Sequence, residues 1–142
     1  IVDRQRDWGE PRWEPNSFVP VDARHRGAVP THEQWVVPVN PDCPHCSGHL
    51  ERAASRRRNG VTVYALVVDQ RLRPPHDVFP GIEVDGVWWD STGIWRHDWG
   101  HRLYGETLVF DRDGRLLTTL APGSETEIAN ADQGFGVPPD DH

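Results

Sequence analysis

The chain has 142 residues, the length of one ordinary domain: enough to bury most of the surface of the unfolded chain and too few for two independent cores. With 36% hydrophobic and 26% charged residues it sits in the soluble globular range, and no apolar run nears the ~20 residues of a membrane span, which excludes a spanning role. Fifteen basic against 22 acidic residues give a net charge of -7, and the one basic cluster, Arg56-Arg57-Arg58, is too short to neutralise many phosphates, so nucleic acid is not expected as a partner. All the basic residues are Arg and there is no Met, so the chain does not begin at its own start codon; a mature form or a piece of something longer is expected, which leaves room for a removed signal peptide or N-terminal anchor and leaves the compartment open.

Residues 1–30 are rich in charge, Trp, Pro and Gly, with only Phe18-Val19-Pro20-Val21 reading as a short strand, and are expected to form an irregular wrapping arm. Trp35-Val36-Val37-Pro38-Val39 predicts a buried strand in which Pro38, unable to donate, asks for a bulge or an unpaired position. Cys43, Cys46, Leu50 and Ala53 recur at helical spacing, predicting an amphipathic helix over about 44–58. Pro44 suits its first turn, the Arg triplet complements its negative end and Asn59-Gly60 supplies a left-handed cap. Val61 to Val68 is apolar and β-branched, as a strand covered on both faces would be. Strand, helix and strand together make a right-handed βαβ crossover, and hence a parallel sheet at the centre of an α/β domain.

Residues 71–105 carry weaker signals, running through Val87-Trp88-Trp89 into a helix expected over Thr92–Leu103. Trp88, Trp89, Trp95 and Trp99 are expected to fill a core or cover the sheet. Thr107-Leu108-Val109-Phe110, a turn at Asp111–Gly114 and Leu116–Leu120 predict an antiparallel hairpin, which accounts for Asp111-x-Asp113-Gly114 better than a calcium loop does. A short helix near Ser124–Ala131 closes the expected domain at 31–133, leaving 134–142 as a tail.

Both cysteines of the chain lie in Asp42-Cys43-Pro44-His45-Cys46, at the junction of predicted strand and helix. There the first thiol faces unpaired backbone N–H groups and the positive end of the helix dipole, which favour thiolate. Cys43 is thus the expected nucleophile, His45 when protonated would favour its thiolate further, and Cys46, one turn in, would resolve the mixed disulfide. Asp42 and Glu106 are acidic neighbours read as surface charge.

Strand, C-x-x-C, helix and strand, followed by Tyr104-Gly105-Glu106-Thr107-Leu108-Val109-Phe110-Asp111-Arg112-Asp113-Gly114, resembles the thioredoxin-like fold, and most of all its TlpA/ResA-like extracytoplasmic branch. The likeness covers roughly residues 30–121, and Cys-Pro-His-Cys is itself similar to the motif of DsbA-like oxidants. It implies a central mixed sheet flanked by helices, a redox-active Cys43–Cys46 pair with Pro44 and His45 between them, and a bacterial, periplasmic or outer-face setting. Protein thiols or disulfides are the implied partners, and no organic cofactor is implied. Proteins of this fold carry a cis-proline in the loop before the third core strand; this chain has no proline from Gly81 to Ala121, and Tyr104-Gly105-Glu106 stands there as the expected substrate groove. A cis bond before a residue other than Pro costs ~3 kcal/mol, so a trans loop is expected. Two alternatives compete: a soft-metal, copper-type chaperone using Cys43, Cys46 and a histidine (His49, His97 or, foremost, His101), and a redox-inactive interaction domain.

Overall fold

The computed structural model describes residues 11–21, 32–100 and 102–122. Six strands form one mixed sheet in the order β1-β4-β3-β2-β5-β6. They are β1 (Val19–Pro20), β2 (Gln34–Val39), β3 (Thr62–Val67), β4 (Gly86–Trp89), β5 (Thr107–Phe110) and β6 (Leu116–Leu120). Two helices, α1 (Cys46–Ala54) and the single turn α2 (Ile94–His97), flank it. Strands β2, β3 and β4 run parallel, while β1, β5 and β6 are antiparallel to their neighbours.

The period-2 alternation of each strand sorts its side chains onto two cores. Trp35, Val37 and Val39 of β2, with Val63 and Ala65 of β3 and Val109 of β5, meet Cys46, Leu50 and Ala53 of α1 on one face. Val36, Tyr64, Leu66, Trp88, Leu108 and Phe110 point to the other, where Trp13, Phe18, Trp95 and Trp99 cover them. The part of the expected arm that is described therefore packs against the sheet: Trp13 is 2% exposed and stacks on Phe18 at 5.1 Å. Its chain is fastened by Trp13 N–H donating to Gly114 O (2.9 Å), in the turn of the β5–β6 hairpin. Gly114 has φ 89, and a Cβ there would lie 2.5 Å from Trp13 O, so only glycine admits both the turn and the close approach.

The β2-α1-β3 crossover and the hairpin form as the sequence predicts. Pro38 stands opposite Leu66 in the β2–β3 ladder, and it is toward β5 that its missing donor goes unneeded: β2 pairs with β5 only from Gln34 to Val36, and beyond that point Pro38 O accepts from Gly105 N–H. Three elements differ. Helix α1 begins at Cys46 rather than near 44 and continues after Ala54 as a 3-10 turn, Ser55–Asn59. Turn hydrogen bonds, Cys43 N–H to Asn40 O and Cys46 N–H to Cys43 O, occupy the backbone ahead of it, while Ser55 Oγ donates to Arg52 O (2.6 Å) where the helix tightens. The helix expected over 92–103 is only the turn Ile94–His97, bracketed by left-handed Gly93 and Gly100. Gly86–Trp89 is an additional parallel strand, joined to β3 without a crossover helix; Phe79, Ile82 and Val84 of the connection pack on the α1 face instead. The expected helix at 124–131 and the tail lie outside the described residues.

Candidate active site

At the carboxyl end of β2, Asn40 shapes the approach to the cysteines. Its Nδ2 donates to Val68 O (2.9 Å), its Oδ1 accepts from Asp42 N–H (2.8 Å), and its carbonyl accepts from Cys43 N–H (3.0 Å). The side chain thus fixes the turn across the ends of β2 and β3, the edge where ligands of open α/β sheets bind. Asn40-Pro41-Asp42 is a turn signature in the sequence whose role in the site was not read from it.

Cys43 is half-buried, Cys46 fully buried, and both are free thiols. Burial, and then a hydrogen bond to the Cys43 side chain, push the Cys46 thiol up to about 12. Pro44 and His45 are exposed between them, with His45 at the cap position of α1 and its carbonyl accepting from His49 N–H (3.1 Å). Asp42 is exposed.

The Tyr104–Glu106 loop reaches α1 one turn beyond Cys46. Gly105 N–H donates to Pro38 O (2.8 Å), and the His49 ring lies so close to its Cα that a Cβ would collide with it. Gly105 adopts φ 84, so glycine is required twice over. Arg52 Nη2 lies 2.6 Å from His49 Nδ1; a guanidinium only donates, so the proton of the neutral ring sits on Nε2. Tyr104 packs against the same buried cluster as Cys43, and its hydroxyl donates to Asp69 (2.5 Å). The residue directly before β5 is Glu106, which faces Arg102 Nη1 at 3.8 Å. The described peptide bonds are all trans.

Among the described residues no three His, Cys, Asp or Glu side chains gather to hold an ion, the His49 ring is turned to Gly105 and Arg52, and His97 is exposed. His101 lies outside the described residues. Nor is the Arg triplet a basic patch, since Arg56 lies over Trp35 (5.3 Å to the ring centre) and Arg57 grips Asp85 through Nε and Nη2, both at 3.1 Å. No helix among the described residues is long and apolar enough to cross a membrane.

No protein-family model and no curated protein matches the chain. Solved structures do. A thioredoxin-like protein from Aeropyrum pernix superposes with a TM-score of 0.55 at 10% identity, over 94% of each chain. StoA from Bacillus subtilis gives 0.52 at 12% identity over 69% of this chain and 80% of its own. The thioredoxin domain of a thiol-disulfide oxidoreductase from Bacteroides vulgatus gives 0.53 at 10% identity, over 74% of this chain and 81% of that one. The fold is the α/β thioredoxin-like fold.

Proposed function

We propose that the protein is a thiol-disulfide oxidoreductase in which Cys43 exchanges with a partner protein and Cys46 resolves the intermediate. The observation that carries this reading is the unequal pair at the start of α1: one half-buried thiol a partner can reach and one enclosed thiol hydrogen-bonded to it. In the reducing direction, Cys43 thiolate attacks a partner disulfide, forming a mixed disulfide and expelling one partner thiolate. Cys46 then gives up its proton and attacks Cys43 Sγ, closing the Cys43–Cys46 disulfide and releasing the second partner thiolate, so two electrons pass to the partner. The oxidising direction is the reverse. In this reading His45, exposed at the cap of α1, favours the Cys43 thiolate when protonated, and Tyr104, Gly105 and Glu106 are the residues on which the partner lies. An extracytoplasmic compartment belongs to this reading, supported by the likeness of Tyr104–Gly114 to the TlpA/ResA branch.

Equilibration against graded glutathione buffers, read by thiol trapping, tests it. A reversible two-electron transition between about -120 and -270 mV, abolished in Cys43→Ser, is expected. A pair that stays oxidised far below that range is a structural disulfide and refutes the proposal.

A further inference from the structure

The exchange chemistry leaves Asp69, Trp95 and Arg96 without a role, although they meet beside the site. Asp69, two residues past the end of β3, has φ 58; among the described residues it is the one non-glycine in the left-handed region, a conformation that costs ~1 kcal/mol and needs a reason to persist. Its carboxylate accepts from the Tyr104 hydroxyl (2.5 Å) and pairs with Arg96 Nη2. The Arg96 guanidinium lies over the Trp95 ring at 4.8 Å, and Trp95, fully buried, stacks on Tyr104 at 5.8 Å with planes 26° apart. Asp69, Tyr104, Trp95 and Arg96 thus close a ring of contacts among the end of β3, α2 and the loop before β5.

That loop has no proline to fix its backbone. It is restrained instead by Gly105 N–H on Pro38 O, by Gly105 against the His49 ring, and by the ring of contacts at Tyr104. Whatever anchors Tyr104 also anchors Gly105 against the cysteine-bearing helix. The geometry points to Asp69 and Arg96 as positioning residues for the exchange reaction: they hold the Tyr104–Glu106 loop against the cysteine-bearing helix at His49 and so shape the surface on which a partner polypeptide lies. This rests on the proposed function. It does not invoke proton transfer by either residue, since neither needs to touch a reacting sulfur.

The test compares wild type, Asp69→Asn and Arg96→Gln with a fluorogenic peptide disulfide as substrate; Asn tolerates the same left-handed backbone. KM is expected to rise about tenfold, the scale of one hydrogen bond to a charged acceptor, with kcat held. Adding Tyr104→Phe to Asp69→Asn is expected to raise KM no further, because the partners act as one unit. Wild-type KM in both single variants, or a loss confined to kcat, overturns the inference. If Asp69→Asn does not fold, Arg96→Gln carries the comparison. If the wild type does not turn the peptide over, the exchange reading has failed on its own account. The ring is then judged by amide hydrogen exchange at Gly105 in the same variants, where faster exchange with Val37 still protected supports it and unchanged exchange overturns it.

Discussion

The two thiols of one short motif differ in what surrounds them, and that difference is measurable. Cys46 is enclosed and its thiol is raised to about 12, so it holds its proton at neutral pH, whereas Cys43 is reachable from solvent. Iodoacetamide at pH 8 is expected to give a single adduct on Cys43, with Cys46 modified about a hundredfold or more slowly until the protein unfolds; peptide mass mapping reads this directly. Gly114 offers a second residue-scale check. Alanine there meets both a positive φ and the Trp13 carbonyl, so Gly114→Ala is expected to cost about 2 kcal/mol and lower the melting temperature by about 6 °C in a circular-dichroism melt. The residues legible in the sequence were those whose reasons are local: the cysteines before a helix, Asn59-Gly60 after it, and Gly114 in its turn. Asp69 carries no such mark, because its partners Arg96 and Tyr104 stand 27 and 35 residues away and only the folded sheet brings them near.

Between elements, Asp69 ties β3, α2 and the loop before β5. Partial burial works to raise its pKa, but hydrogen bonds from Arg96 and Tyr104 outweigh that and leave it below the usual carboxylate value. A lowered folded pKa means that the stabilisation is complete above the unfolded value of about 3.9 and is lost as pH falls through the folded one. Asp69→Asn is therefore expected to melt about 3 °C below wild type at pH 7, a cost of about 1 kcal/mol, kept small because the Asp69 and Arg96 side chains are 31% and 36% exposed and solvent screens the pair. The gap should close in melts below pH 4. The elements themselves were read unevenly. Strands β2 and β3 and the hairpin announce themselves by unbroken apolar or alternating runs. In contrast, Trp95, Trp99 and Leu103 imitate one helical face by their spacing of four, although the chain turns at Gly100 and leaves Leu103 64% exposed. The four residues of β4 are too few for a period to show.

At the scale of the molecule, the two faces of the sheet are built differently. One is covered by α1, an element legible from its own periodicity. The other depends on Trp13, whose ring meets Phe18, Tyr64, Trp88, Trp99 and Phe110 within 5.1 to 6.5 Å. Trp13→Ala is expected to cost about 4 kcal/mol, a large part of the 5–15 kcal/mol that holds a domain together, and to be read as an early, broadened melt with exposed apolar surface. The same attachment sets an order of events during synthesis. Trp13 is made about a hundred residues ahead of the carbonyl it docks on, in Gly114, and of the ring of Phe110, an interval of some 5–20 s at ribosomal speed. Through that interval the aromatic face lacks its full cover on the nascent chain, so it closes only once the hairpin has emerged, and any factor that shields the growing polypeptide has to guard this surface until then.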